Sequence, residues 1–369
     1  MSHPTVAHVV GARPNFMKAA PVVDALADAG VPQLLIHTGQ HYDEKMSDIF
    51  FRDLGIPEPD VNLGVGSGSH ATQTAALMTG IEATVEEHQP AAVIVYGDIN
   101  STVAAAMVCA KLGVPVVHVE AGLRSFDNTM PEEINRRVTD VLSDLLLVTS
   151  PEGYAHLGKE GADVERIRFV GNPMIDTLLR NRDRFDPAPV RQANGLPDRI
   201  AVSTLHRPGN VDDPVVAQRI VDALKQVAKS IDVVIPLHPR GRQRLADLGL
   251  VTGDGIHVID PLGYVEFLSL VSGSGLVITD SGGIQEETTI LDVPCLTVRP
   301  NTERPITITH GTNQLVTPDE LVGAAEAVLS GETAFPQDRP PLWDGRAGQR
   351  CAAAIIEMLE RVEAGTWPR

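Results

Sequence analysis

Residues 91–125 read AAVIVYGDINSTVAAAMVCAKLGVPVVHVEAGLRS, and two short runs within them decide the fold class. Ala92–Tyr96 and Val114–Val119 are each too short for a helix and are apolar continuously rather than alternately. A strand apolar on both faces is buried on both, which marks a parallel sheet covered by helices. Each run ends in a polar turn, and a helix-like stretch lies between them, so the segment predicts strand, helix, strand.

The same succession extends in both directions. Thr5–Val10, Leu34–His37, Leu145–Val148 and Ile167–Val170 are comparable runs in the first half of the chain. Ile200–Ser203, Val233–Leu237, Ile256–Ile259, Leu276–Thr279 and Cys295–Val298 follow in the second. Repetition in both halves of a 369-residue chain predicts an α/β protein of two doubly wound, Rossmann-like domains. The expected division is residues 1–171 and 172–346, followed by a final helix within 347–369. The Arg-, Asp- and Pro-rich stretch Asn181–Asp198 reads as a surface linker.

Composition excludes several functions. The net charge of −18 opposes sequence-independent nucleic-acid binding and docking on an anionic membrane. No stretch approaches the ~20 apolar residues of a membrane span, and the N-terminus lacks the pattern of a signal peptide. Cys109, Cys295 and Cys351 are far apart and form no zinc or disulfide pattern, so buried thiols in a cytoplasmic protein are expected. No Walker A or H-E-x-x-H motif is present, and Gly64–Ser69 lacks the third glycine and preceding strand of a dinucleotide fingerprint. Neither a metal nor a cofactor is therefore expected.

Ligands of open α/β sheets bind beyond the carboxyl ends of the strands. After the first strand, Arg13 and Lys18 place two cations by a helix start, as an anion site or as exposed charges. Asp98 is either a helix N-cap or a catalytic carboxylate. Glu120, at the end of a buried strand, needs a partner or a chemical role. Pro131-Glu132-Glu133 suits the first turn of a helix. Carboxylates gathered along one edge repel one another and suit proton transfer. In the second half, His206 follows one strand, and Ser281-Gly282-Gly283 opens a helix after another. Small residues there let a phosphate approach free backbone N–H groups. Glu287 lies on the same helix at a position suited to ribose hydroxyls, and Arg304 adds a cation.

Taken together, GARPNFMK, TGQHYD, YGDINST, HVEAGLRS, MPEEINRR, GNPMIDT, HRPGN, HPR, TDSGGIQEE and RPNTERP resemble the motifs of the non-hydrolysing UDP-N-acetylglucosamine 2-epimerases, in family order from Gly11 to about Val316. The resemblance implies the glycosyltransferase-B-like architecture, with two Rossmann-like domains facing a central cleft, a C-terminal helix returning to the first domain, and a homodimer. It implies an isomerase interconverting UDP-N-acetylglucosamine and UDP-N-acetylmannosamine without cofactor, for surface polysaccharide synthesis. By this resemblance Asp98, Glu120 and Glu132 are the catalytic carboxylates and His206 the site histidine. Arg13, Lys18 and Arg304 are cations near the nucleotide, Ser281, Gly282 and Gly283 the phosphate turn, Glu287 the ribose contact and Phe267 the uracil contact. Asn15, Pro208 and Gly209 depart from the GTRPE and HRRE forms of many bacterial members. That departure implies little dependence on activation by a second UDP-N-acetylglucosamine, which in some members uses those motifs and the Gln40–His41 loop. A glycosyltransferase of the same architecture, a hydrolysing epimerase and a UDP-sugar sensor are the competing readings.

Overall fold

The computed structural model describes residues 3–39, 55–237, 239–336 and 338–368. Gln40, His41 and His238 lie outside the described residues. The chain forms two compact units, Met1–Arg180 with Pro341–Arg369, and Asn181–Pro340.

The first unit contains β1 (Val6–Val10), β2 (Gln33–His37), β3 (Val61–Asn62), β4 (Ala92–Tyr96), β5 (Val116–Ala121), β6 (Leu145–Val148) and β7 (Ile167–Phe169). They form one sheet in the order β3-β2-β1-β4-β5-β6-β7, with every pairing parallel. The second unit contains β8 (Ile200–Thr204), β9 (Asp232–Pro236), β10 (Ile256–Ile259), β11 (Leu276–Thr279), β12 (Cys295–Val298) and β13 (Asn313–Val316). Its order is β10-β9-β8-β11-β12-β13, again all parallel. Central strands β4 and β12 are buried throughout, as their continuous apolarity requires.

Two strands were not legible as apolar runs. Strands β3 and β13 lie at sheet edges and are partly exposed, so neither needs a run of large apolar side chains. Strand β5 also runs later than expected: it begins at Val116 and carries Glu120 inside it. The linker segment contains the Pro187–Asn194 helix, which has no buried residue and is capped by Asp186.

The units divide later than Asn172, for a physical reason. Pro21, inside the Arg13–Asp28 helix, has no N–H to offer the Met17 carbonyl. That carbonyl instead accepts from the Thr177 hydroxyl at 2.6 Å. Met174, Ile175 and Leu178 of the same Pro173–Asn181 segment are buried, which keeps it with the first unit. The Ala347–Glu363 helix packs there too, because Gly348 has no Cβ to meet the Pro21 carbonyl at 2.3 Å. The three cysteines are free and buried, and burial raises the Cys109 thiol to about 12 and that of Cys295 to about 11.

Candidate active site

Strand order reverses between β1 and β4 in the first unit, and between β8 and β11 in the second. In an open parallel sheet such a switch point leaves room for a ligand at the strands' carboxyl ends. The polar segments Gly11–Lys18, Gly97–Asn100, Leu205–Asn210 and Asp280–Gly283 follow these four strands.

In the first unit Lys18 and Glu120 form a buried ion pair, Nζ to Oε2 2.7 Å. Glu120 adopts a left-handed backbone, φ 75°, where the β5–β6 register shifts between Val119 and Ala121. A bulged residue with positive φ costs ~1–3 kcal/mol unless it is glycine, and its surroundings must enforce it. The bulge turns the Glu120 carboxylate toward Lys18. Gly97 lies beside this pair, and a Cβ there would stand 2.9 Å from Lys18 Nζ. Asn15 completes the corner by accepting the Gly11 and Ala12 N–H groups, each at 3.2 Å, and donating to the Tyr96 carbonyl at 2.8 Å.

Asp98 is not an N-cap. The Asn100–Leu112 helix has Ile99 at that position, and the Asp98 carboxylate pairs with Arg136. Arg136 also reaches Glu133 Oε2 at 2.6 Å. Glu133 is buried and accepts from the Ser125 and Phe126 N–H groups at 2.9 and 3.1 Å. Glu132, its neighbour on the first turn of the Pro131–Leu142 helix, is exposed. Repulsion among the clustered carboxylates is thus relieved by Lys18 at Glu120 and by Arg136 between Asp98 and Glu133. Arg13 opens the Arg13–Asp28 helix beside this corner.

In the second unit the His206 ring is largely exposed, and its Nδ1 lies 2.9 Å from Asp280 Oδ1. Asp280 is fully buried and accepts from the His206 and Arg207 N–H groups and the Asn210 amide, all at 3.0–3.1 Å. Burial alone would raise the Asp280 carboxyl. The His206 hydrogen bond and charge, with the Arg207 N–H and Asn210 amide, outweigh burial and hold it below the usual range. The pair fixes the ring and leaves Nε2 for a ligand.

Ser281 precedes the Gly282–Leu291 helix and makes no side-chain cap, so the helix's first N–H groups meet no serine oxygen. Gly282 also packs closely, since a Cβ would stand 2.5 Å from an Arg304 guanidinium nitrogen and one of the two would have to shift. Arg304 is itself buried, with Nε 2.9 Å from Glu286 Oε1 and a second bond to Glu303. It therefore braces the Ser281–Gly283 turn from behind. Glu287 is buried, and desolvation with the neighbouring Glu286 charge raises its carboxyl to about 8, partly offset by Tyr264. A protonated carboxyl can donate as well as accept a hydrogen bond. Phe267 is half-buried on the Tyr264–Ser272 helix.

The structure therefore gathers Lys18, Asp98 and Glu120 in one corner of the first unit, and His206, Ser281–Gly283, Glu287 and Arg304 in the second. Sequence reasoning assigned no role to Arg136, His118, Asp140 or Asp280. Asp280 had a signal, because an acid directly ahead of a phosphate-type turn is unfavourable unless it serves another group. Arg136 shares a helix face with Glu133 at the i, i+3 spacing.

The UDP-N-acetylglucosamine 2-epimerase family model matches residues 24–356. The UDP-N-acetylglucosamine 2-epimerase of Methanocaldococcus jannaschii is 38% identical over 354 residues, 93% of this chain and 96% of that protein. A crystal structure of the M. jannaschii UDP-GlcNAc 2-epimerase in complex with UDP-GlcNAc and UDP superposes with a TM-score of 0.89 at 37% identity, covering 96% of this chain and 99% of the other. The UDP-2,3-diacetamido-2,3-dideoxy-D-glucuronate 2-epimerase of Pseudomonas aeruginosa is 41% identical over 357 residues, 95% of this chain and 99% of that protein.

Proposed function

Because this chain belongs to the UDP-N-acetylglucosamine 2-epimerase family, and is an epimerase of the glycosyltransferase-B-like fold, we propose that it interconverts UDP-N-acetylglucosamine and UDP-N-acetylmannosamine without hydrolysis. The observation that carries this reading is the buried Lys18–Glu120 pair at a left-handed bulge beside Asp98. A binding protein for an anionic nucleotide gains nothing from a carboxylate held in strained backbone.

The reaction proceeds by elimination and re-addition. A carboxylate among Asp98, Glu120 and Glu132 takes the proton from C2 as the C1–O bond breaks, the C1–C2 double bond of 2-acetamidoglucal forms, and UDP leaves with the bonding electrons. A carboxylic acid then protonates C2 from the opposite face while a UDP oxygen re-forms the bond to C1. No atom is gained or lost overall. Charge develops on the departing diphosphate, so preorganised donors there lower the barrier. Those donors are the N–H groups at Ser281–Gly283, His206 held by Asp280, and the cations Arg13 and Lys18. Arg304 holds the turn, Glu287 takes the ribose and Phe267 the uracil.

We place the protein in the cytoplasm as a homodimer supplying surface polysaccharide synthesis. Exposed Ile134 and Val141, seven residues apart on one helix, support a self-associating face. No helix among the described residues is long and apolar enough to cross a membrane.

The test is proton NMR of the protein with UDP-N-acetylglucosamine in D2O. UDP-N-acetylmannosamine bearing deuterium at C2 is expected. Free N-acetylmannosamine with UDP would instead identify a hydrolysing epimerase. An intact, unlabelled sugar would favour the second reading, a diacetamido-glucuronate substrate, which the 41% identity to the Pseudomonas enzyme supports.

A further inference from the structure

His118 lies two residues before Glu120 on β5 and is wholly buried. Its Nδ1 is 2.6 Å from Asp140 Oδ1, and its Nε2 is 2.8 Å from the Gly97 carbonyl. A carbonyl oxygen only accepts, so Nε2 must carry a proton. A carboxylate also only accepts, and Asp140 is engaged as one. Its Oδ2 receives the Gly122 N–H at 3.1 Å and an Arg124 guanidinium nitrogen at 2.7 Å. Both ring nitrogens therefore face oxygen acceptors and are placed to donate.

The placement of these bonds gives the ring a role. Gly97 is the residue before Asp98. Gly122 closes the bulge that sets the left-handed Glu120, and Asp140 sits on the Pro131–Leu142 helix that also bears Glu132 and Arg136. One imidazole thus bridges three separate segments, each bearing a carboxylate assigned to proton transfer. We propose that His118 is a positioning residue, a buried imidazolium whose two N–H groups tie the Asp98 turn and the Glu120 bulge to the Glu132 helix.

The role in turnover rests on the proposed epimerisation, but the charge state does not. The first experiment is a two-bond proton–nitrogen NMR spectrum of the protein labelled with 15N-histidine, with His118 identified by comparison with Asp140→Asn and His118→Gln. The Asp140→Asn side chain keeps an oxygen for Gly122 and Arg124 but offers an N–H to His118, which forces the neutral Nε2–H tautomer. Two protonated ring nitrogens in the wild type, one of them losing its proton in Asp140→Asn, are expected. A wild-type His118 with one unprotonated nitrogen overturns the proposal.

Kinetics provide the second readout. Asp140→Asn is expected to lower kcat at least roughly tenfold while KM for UDP-N-acetylglucosamine stays within about twofold. A variant that loses only thermal stability and keeps wild-type kcat shows a purely structural histidine and overturns the positioning role. Absence of turnover by the wild type would count against the epimerase reading alone, with the spectra still deciding the charge.

Discussion

Lys18 Nζ lies 2.7 Å from Glu120 Oε2, with both side chains almost completely shielded from water. The pair connects the start of the first helix to a residue in left-handed backbone at the end of β5. Removing one member of such a buried pair leaves an uncompensated charge, which costs far more than removing both.

Lys18→Met is therefore expected to destabilise the first unit by roughly 3–5 kcal/mol. Adding Glu120→Gln should restore much of the thermal midpoint without restoring turnover. Thermal melts of the two single variants and the double variant test this. A double variant no more stable than Lys18→Met would show that the pair does not carry that energy.

The two adjacent glutamates should behave oppositely. Glu132 is exposed, so Glu132→Gln is expected to leave the melting midpoint unchanged while lowering kcat by roughly 10²–10⁴. Glu133 accepts from Ser125, Phe126 and Arg136 inside the protein, so Glu133→Gln should lower the midpoint by several degrees. Parallel melts and steady-state assays separate the two.

Gly282→Ala puts a methyl 2.5 Å from an Arg304 nitrogen and 2.9 Å from Glu303 Oε1. Either the buried Arg304 and Glu303 side chains or the turn must then shift, which disturbs the N–H groups proposed to hold the diphosphate. UDP affinity, measured by calorimetry, is expected to fall at least roughly tenfold, a cost of about 1.4 kcal/mol. Unchanged affinity would show that these N–H groups do not hold the phosphates.

Glu287 gives a pH signature. Its carboxyl is raised to about 8 in the folded protein, while an unfolded glutamate ionises near its ordinary value of 4.5. Between those values the unfolded chain holds fewer protons, so the Glu287 contribution to stability is full below pH 4.5 and is lost as pH rises to about 8. Glu287→Gln removes this dependence. Its midpoint relative to the wild type should rise across that window and level off above it, as melts at stepped pH would show. A constant difference would mean that the carboxyl titrates alike in both states.

The sequence by itself determined the strands that lie inside the sheets. A parallel strand covered on both faces has to be apolar along its length, so β4, β6, β11 and β12 were legible as runs. It also determined where a ligand site can lie, because polar segments directly after buried strands fall at the sheets' carboxyl ends. Edge strands β3 and β13 left no such trace, since each is short and carries polar residues (Asn62 in β3, Asn313 and Gln314 in β13), whereas the edge strands β7 and β10 were legible as runs. Only the tertiary structure decided which glutamate of Glu132-Glu133 is buried, that Lys18 faces Glu120, and that His118 bridges Gly97 and Asp140. The paired residues lie 21 to 102 positions apart, and the two glutamates are neighbours on one helix turn. Charge compensation acts through space, and no local pattern of residues records which distant cation or acceptor the fold brings within 3 Å.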